Sequence, residues 1–203
     1  MGLTISLHGE DKVVPGRSYI VTPNHQGYAD VLVLIAILPV RFRWVIKKEL
    51  LKVPLFGWAL RGTGAISLDR SNRAQSVQRL RGGADKLKYG WSVLIYPEGT
   101  RTPDGKLLPL KKGAFMLAVQ TGIPILPVTS NGAHKILPRK TLLFRPGHIT
   151  VTIGDPINTE GMTESNVPEL MKKTREAIEK NLDPGYDPFA SSPGLKSYGR
   201  SPG

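Results

Sequence analysis

The sequence contains no cysteine, which excludes disulfide bonds, thiolate nucleophiles and cysteine-based zinc sites. This absence fits a reducing compartment. A long apolar run is also missing, because the longest one, residues 31–40, includes Pro39 and is about half as long as the ~20 residues of a membrane-spanning helix. The first residues, 1–11, show no signal-peptide pattern. Unless a further segment precedes them, we expect any membrane contact to be peripheral.

Acidic residues are scarce relative to basic ones, with 16 against 28, which gives a formal net charge of +12. Such an excess attracts polyanions, namely nucleic acids, anionic lipid headgroups or phosphorylated substrates. All of it lies in residues 1–182, because residues 183–203 hold equal numbers of acidic and basic side chains. A basic nucleic-acid-binding module is one alternative, but no helix-turn-helix, zinc-finger or RNP-type pattern supports it. We therefore expect no nucleic-acid partner.

Apolar runs rich in β-branched residues alternate with helical patterns along most of the chain. The predicted strands are residues 18–22, 43–46, 65–68, 93–96, 125–128 and 149–153. The predicted helices are residues 30–38, 73–88, 112–120 and 164–181. This alternation indicates an α/β layered fold in a single domain over residues 1–182. The remainder, residues 183–203, is rich in Pro, Gly and Ser and is predicted to be a disordered tail.

A histidine and an aspartate lie together in residues 24–30, between a predicted strand and an apolar helix. His25 has the chemistry of a general base that takes a proton from an attacking hydroxyl. A carboxylate at Asp30 would fix its tautomer and stabilise the imidazolium, as in two-thirds of a Ser-His-Asp triad. We expect Gly27 to make the turn that brings the two side chains together. The alternative is a surface histidine beside an aspartate that caps a helix beginning at Val31.

Two further segments lie at the ends of predicted strands, and the last residue of each is an arginine. Residues 96–101 form a strand end, where ligands bind in α/β sheets, and Arg101 there offers a bidentate fork for a phosphate group. Residues 64–70 end in Arg70, which would converge with Arg101 on one phosphate. The alternatives are a plain turn for the first segment and a surface ion pair between Asp69 and Arg70 for the second.

A fourth segment, residues 122–128, is an apolar strand that carries Pro124 and Pro127. Proline avoids central strand positions because it lacks the N–H donor, so this pattern predicts an edge strand or a shaped wall. The segment alone indicates no function.

Together, and in this order, the four segments resemble the four blocks of the glycerolipid acyltransferase family, which includes 1-acylglycerol-3-phosphate acyltransferases. The matching residues are Asn24, His25 and Asp30, then Gly64 and Arg70, then residues 97–101, then Pro124 and Pro127. Residues 47–50 and 54–58 also look like the stretch between the family's first two blocks. The resemblance covers roughly residues 18–156.

The resemblance implies a role for each matching residue. It makes His25 and Asp30 the catalytic pair. The residues that it assigns to the phosphorylated acceptor are Arg70, Glu98, Gly99, Thr100 and Arg101. Pro124 and Pro127 would help to shape the acceptor or acyl site.

The resemblance also implies a fold and a reaction. The fold would be glycerol-3-phosphate acyltransferase-like, with a mostly parallel central sheet flanked by helices. The reaction would move a fatty acyl group from acyl-CoA or acyl-carrier protein onto 1-acylglycerol-3-phosphate, which gives phosphatidic acid. It implies no metal and no organic cofactor. Glycerol-3-phosphate or another lysophospholipid is the alternative acceptor, and an inactive acyltransferase-like binder is disfavoured because His25 and Asp30 are both present.

Such an acceptor predicts a peripheral position on an anionic membrane, at the cytoplasmic face. Residues 53–60 are apolar and lie between Lys47, Lys48, Lys52 and Arg61, which is typical of an interfacial wedge. Phe42 and Trp44, with the neighbouring arginines, would extend this patch. The alternative is that the stretch belongs to the core.

Overall fold

The computed structural model describes residues 2–47, 65–68, 90–138 and 143–190. They contain seven strands and four α-helices. In chain order they are β1 (Leu3–His8), β2 (Ile20–Pro23), α1 (Tyr28–Ile37), β3 (Phe42–Lys47), β4 (Ile66–Leu68), β5 (Ser92–Leu94), α2 (Gly113–Thr121), β6 (Ile125–Asn131), α3 (Ala133–Ile136), β7 (Gly147–Ile153) and α4 (Val167–Glu179). The predicted helix over residues 73–88 lies outside the described residues.

The strands form one seven-stranded sheet in the order β1-β7-β6-β2-β5-β3-β4. Every neighbouring pair is parallel except β6 and β7, which are antiparallel. The prediction of an α/β fold with a mostly parallel sheet is therefore confirmed. Because β2 and β5 are parallel neighbours, the loops that leave their carboxyl ends lie at the same edge of the sheet.

Helices cover both faces of the central strands. Successive strand residues point to opposite faces, so Val21 and Leu126 pack with residues of α1 and α3, while Ile20 and Ile125 pack with residues of α2 and α4. Burial of each large apolar side chain contributes about 1.5–3 kcal/mol. The apolar runs that predicted β2 and β6 are continuous rather than alternating because both faces of these strands are buried.

Strand β1 was not predicted from the sequence. It pairs in parallel with β7 at one edge of the sheet, from Leu3 opposite Gly147 to His8 opposite Thr152. Its apolar residues alternate with polar ones, and Leu3, Ile5 and Leu7 pack against the core. This alternation is the signal of a half-buried strand.

Of the two alternatives for residues 122–128, an edge strand or a shaped wall, the edge strand is wrong. Strand β6 lies between β2 and β7, and Pro124 and Pro127 are both buried. The ladder to β2 uses carbonyls that proline retains, since the Pro124 carbonyl accepts the Ile20 N–H at 2.9 Å. On the other side, β7 pairs with β6 only from Val128 onward. The missing N–H of Pro127 therefore interrupts no paired position of that antiparallel ladder.

The predicted membrane patch is only partly within the described residues. Residues 53–60 lie outside them. Trp44 is 8% exposed and belongs to the main core cluster, with Phe42 packed edge-on against it at 4.9 Å between ring centroids. The extension of the patch to Trp44 is therefore wrong.

The predicted boundary at residue 183 also differs from the structure, because residues 183–190 pack against the domain. The His148 N–H donates to the Pro188 carbonyl at 2.7 Å, and the Tyr186 hydroxyl lies 3.0 Å from Thr150 Oγ1. Lys135 Nζ donates to the Tyr186 carbonyl at 2.6 Å. The prediction of disorder is thus wrong for these residues, and residues 191–203 lie outside the described ones.

Candidate active site

The loop between β2 and α1 begins at a fixed point in the sheet. The buried amide of Asn24 makes two hydrogen bonds to the backbone of Ser130 on β6: its Nδ2 donates to the carbonyl at 2.9 Å, and its Oδ1 accepts the N–H at 2.7 Å. Because both the donor and the acceptor of this amide are bonded to β6, the direction in which the chain leaves β2 is fixed. The next residue is His25.

Asp30 is fully buried and connects the start of α1 to His25. Its Oδ2 accepts the backbone N–H groups of Gln26 at 2.6 Å and Gly27 at 2.8 Å. The same oxygen lies 3.2 Å from His25 Nδ1. Helix α1 begins at Tyr28, so Asp30 is its third residue and reaches back to satisfy donors that a helix start leaves unpaired. The carboxylate thus both caps the helix and orients the histidine.

This contact determines which nitrogen of His25 is available. Asp30 is buried among donors and serves as the acceptor, so Nδ1 of His25 carries the proton and Nε2 keeps its lone pair. The His25 side chain is 16% exposed and the Asp30 side chain is 0% exposed. A partly exposed imidazole supported by a buried carboxylate is the arrangement of a general base.

Gly27 acts differently from the prediction. Its backbone is extended, with φ −167° and ψ −168°, a conformation that any residue adopts. The glycine instead allows close approach, because a Cβ there would lie 3.1 Å from the Ala133 carbonyl oxygen and 3.2 Å from that of Leu137. Gly27 is therefore needed for packing of the loop against α3.

Tyr96, which follows β5, contacts both members of the pair. Its ring stacks on the imidazole of His25, with centroids 3.8 Å apart, and its hydroxyl donates to Asp30 Oδ1 at 3.2 Å. Burial, and then the negative charge of Asp30, hold the pKa of the Tyr96 hydroxyl well above its usual value. The hydroxyl therefore stays protonated and serves as a donor.

Glu98 contacts the loop between β2 and α1 and is 2% exposed. Its Oε1 accepts the backbone N–H of His25 at 2.6 Å, and its Oε2 accepts that of Leu108 at 2.8 Å. Burial raises the pKa of the carboxyl group to about 6, against the opposing effect of these two hydrogen bonds. Both oxygens thus contact backbone donors of the protein.

The remaining residues of this turn lie nearer the surface. Gly99 has a positive φ of 69°, and the side chain of Lys111 lies against it, with Nζ 3.0 Å from the position of a Cβ. Thr100 is exposed. The guanidinium carbon of Arg101 lies 3.9 Å from the centroid of the Tyr28 ring, and its buried Nη1 has no hydrogen-bond partner within the described part of the chain. Arg70, the other predicted phosphate ligand, lies outside the described residues.

Two other features of the described residues bear on the chemistry. They contain no group of three or more His, Asp or Glu side chains that could hold a metal ion. None of their helices is both long and apolar enough to cross a membrane.

Comparisons with known proteins show the family of this chain. Residues 4–131 match the family model described as Acyltransferase. The chain belongs to the acyltransferase family.

Several members of the acyltransferase family are similar over most of this chain. The 1-acyl-sn-glycerol-3-phosphate acyltransferase of Saccharomyces cerevisiae is 35% identical over 192 residues, which are 93% of this chain and 63% of that protein. The 1-acyl-sn-glycerol-3-phosphate acyltransferase alpha of Homo sapiens is 33% identical over 178 residues, which are 87% of this chain and 63% of that protein. The chain therefore spans less than two thirds of the length of these relatives.

A solved structure is similar as well. The crystal structure of the 1-acyl-sn-glycerophosphate (LPA) acyltransferase of Thermotoga maritima superimposes with a TM-score of 0.71 at 31% identity, and the match covers 87% of this chain and 71% of that one. The predicted family resemblance and the predicted acyltransferase fold are thus confirmed.

The structure brings three of the predicted site residues into direct contact. His25 and Asp30 are in contact, and Glu98 is bonded to the backbone of His25. Pro124 and Pro127 are buried within the sheet. The sequence reasoning missed Tyr96, whose aromatic side chain immediately precedes the Pro97 of the third motif and was a usable signal.

Proposed function

We propose that this chain transfers a fatty acyl group from a thioester donor to the free hydroxyl of 1-acylglycerol-3-phosphate, which gives phosphatidic acid. The observation that carries the proposal is the contact between His25 Nδ1 and Asp30, which leaves Nε2 to act as the base on a side chain that is 16% exposed. The relatives named for this activity support it. Acyl-CoA or acyl-carrier protein is the donor class.

The proposed reaction has two steps. In the first, Nε2 of His25 removes the proton from the acceptor hydroxyl as its oxygen attacks the thioester carbonyl carbon. The imidazolium that forms is stabilised by the buried charge of Asp30. In the second, the carbon–sulfur bond breaks, and the imidazolium returns the proton to the departing thiolate. The new ester and a free thiol leave, and His25 is regenerated without a metal or an organic cofactor.

The acceptor phosphate is proposed to bind at Arg101. Its Nη1 is buried and has no hydrogen-bond partner among the described residues, while its guanidinium is held against the face of Tyr28. A buried donor without a partner costs free energy that an anionic ligand would recover. Arg70 is proposed to assist, as the family resemblance implies, with Gly99 and Thr100 in the same loop as Arg101.

The decisive experiment is an acyl-transfer assay with defined acceptors and donors. Lysophosphatidic acid, glycerol-3-phosphate and lysophosphatidylcholine are each offered with acyl-CoA and with acyl-carrier protein, and products are identified by mass spectrometry. We expect phosphatidic acid from lysophosphatidic acid. His25→Ala and Asp30→Asn should lower kcat by about 10²–10⁴-fold, whereas His8→Ala, on the exposed end of β1, should not. Full activity in folded His25→Ala would refute the mechanism, and a preference for another acceptor would change the assignment.

We also propose that the protein works peripherally on the anionic, cytoplasmic face of a membrane. One face of α1 supports this, because Tyr28, Leu32 and Ile35 are 46%, 59% and 55% exposed and lie at positions that share a helix face. This face begins three residues after His25 and is adjacent to the cation of Arg101. An apolar helix face beside a cation suits an anionic lipid interface.

Vesicle cosedimentation tests this surface. Leu32→Asp with Ile35→Asp should reduce binding to anionic vesicles, and the loss should persist at high salt because apolar insertion is not screened. Val14→Asp with Phe189→Asp is the matched control, since these apolar residues are also exposed and the charge change is the same. An equal loss of vesicle binding in both double variants would show that the added negative charge alone causes it. Unchanged binding by Leu32→Asp with Ile35→Asp would place the membrane contact elsewhere on the protein.

A further inference from the structure

The carboxyl group of Glu98 is enclosed between two backbone segments. One oxygen accepts the N–H of His25 at 2.6 Å, and the other accepts the N–H of Leu108 at 2.8 Å. With the residue only 2% exposed, both oxygens are directed at the protein. A hydrogen bond from an N–H group to a carboxylate is about twice as strong as one between neutral groups.

This arrangement does not suit binding of the acceptor by Glu98. A phosphate is an anion, and a buried carboxylate beside it would repel it rather than hold it. The family resemblance assigns Glu98 to the acceptor because it belongs to the same block as Arg101, residues 97–101. The structure gives the two side chains different surroundings. Arg101 has a buried nitrogen that bonds to none of the described residues, whereas Glu98 has two backbone donors.

The backbone of His25 is held on its other side as well. Its carbonyl oxygen accepts the N–H of Thr102 at 2.8 Å. The segment 98–102 therefore binds both the N–H and the C=O of His25. These bonds fix the position of the Cα of His25, while Asp30 and Tyr96 fix the direction of its ring.

We propose that Glu98 is a positioning residue, whose ionised carboxylate holds the backbone of His25 in place for catalysis and does not touch the acceptor. The proposal deepens the proposed function and rests on it. It predicts that loss of the carboxylate lowers the rate of transfer without weakening acceptor binding, because misplacement of a catalytic group by about 1 Å can cost 10²-fold.

The positioning contacts extend to the last helix. Arg175 on α4 donates to the carbonyl oxygens of Leu107 at 3.3 Å and Leu108 at 3.2 Å. It is itself held by Glu179 at 2.8 Å. Helix α4 thus supports the segment that contains Leu108, whose N–H donates to Glu98. Glu98 in turn accepts the backbone N–H of His25.

The first test is steady-state kinetics of Glu98→Gln. The amide keeps the size of the side chain but places an NH₂ group opposite one of the two N–H donors. We expect kcat to fall about 10- to 100-fold, the equivalent of one hydrogen bond to a charged group, with the acceptor KM unchanged. Glu98→Asp keeps the charge but is one methylene shorter, so we expect partial rescue. Glu169→Gln on the exposed face of α4 is the matched control and should behave as wild type.

The second test measures the amide of His25 directly, by ¹⁵N–¹H NMR with hydrogen exchange. In Glu98→Gln, the amides of His25 and Leu108 should lose protection by about tenfold or more. The amide of Ser130, bonded to Asn24, should keep its protection and reports that the fold is intact. Arg175→Gln should give a smaller change at Leu108.

The outcomes separate the two assignments. A higher acceptor KM with unchanged kcat would show that Glu98 binds the acceptor and would overturn the proposal. Unchanged protection at His25 in a folded variant would overturn it as well. If the wild-type protein transfers no acyl group to any acceptor, the proposed function fails, while the exchange data still decide whether Glu98 holds His25.

Discussion

The rings of Tyr96 and His25 lie face to face, with centroids 3.8 Å apart and planes inclined by 21°. The hydroxyl of the same tyrosine donates to Asp30 at 3.2 Å. One side chain from the end of β5 therefore restricts both the imidazole, which lies in the loop after β2, and the carboxylate, which lies in the first turn of α1. The pair is held by contacts from outside its own segment.

Substitution of Tyr96 separates the two contacts. Tyr96→Phe keeps the stacked ring but removes the donor to Asp30, so kcat should fall about three- to tenfold, a typical value for one hydrogen bond. Tyr96→Ala removes both contacts and should cost more. Tyr186→Phe is the matched control, because it removes a hydroxyl that is bonded to Thr150 instead. Wild-type kcat in Tyr96→Phe would show that the bond to Asp30 has no kinetic role.

Arg101 should determine acceptor binding. Arg101→Lys keeps the charge but loses the planar fork that binds a phosphate in a bidentate manner, so the acceptor KM should rise about tenfold or more. The donor KM and kcat should change little. The conservative change Arg145→Lys, at an exposed position, is the control in the same assay. A defect confined to the thioester donor would contradict this assignment.

The contact between His25 and Asp30 could be predicted from the sequence because the two residues are only five positions apart, at the turn into α1. The contacts of Tyr96 and Glu98 could not, since they depend on which strands are neighbours. Parallel pairing of β2 with β5 places the two loops at one edge of the sheet, but periodicity does not give strand order. The charge of Glu98 also offered no sign that its partners are backbone N–H groups.

The roles of Gly27 and Pro127 differ from those that the sequence predicts for a related reason. The sequence shows that Gly27 has conformational freedom, but its actual constraint is the backbone of α3, more than a hundred residues later. Likewise, proline is rare in central strands because it lacks the N–H donor. Pro127 is tolerated in β6 because β7 pairs with β6 only from Val128 onward. Both outcomes depend on tertiary contacts, which override local preference.

A methyl group at Gly27 tests the first of these contacts. Gly27→Ala should lower the free energy of unfolding by about 1–3 kcal/mol, because the new Cβ would meet two backbone carbonyl oxygens that cannot move independently. Gly113→Ala is the control. It lies at the start of α2 with no heavy atom within 4 Å of the new Cβ, and it should be neutral or stabilising by up to about 1 kcal/mol. Equal stability of the two variants in urea denaturation would contradict close packing at Gly27.

Glu98 should make stability depend on pH in a defined direction. Its pKa rises from 4.5 to about 6 on folding, chiefly because of burial. Between these values the folded state binds more protons than the unfolded state, so the free energy of unfolding contributed by this group falls as pH rises. The contribution is fully present below pH 4.5 and is lost above about pH 6. Its total is about 2 kcal/mol, at 1.36 kcal/mol per pKa unit.

The measurement is urea denaturation of wild type and Glu98→Gln across this pH range. Glutamine does not titrate, so the difference between the two curves isolates Glu98 from the other ionisable groups near it, His25 and Asp30. We expect the wild type to lose stability relative to the variant as pH rises from 4.5 to 6. The opposite slope would mean that the hydrogen bonds from His25 and Leu108 outweigh burial. In that case the carboxylate would be ionised throughout the range, and its hold on the His25 backbone would be independent of pH.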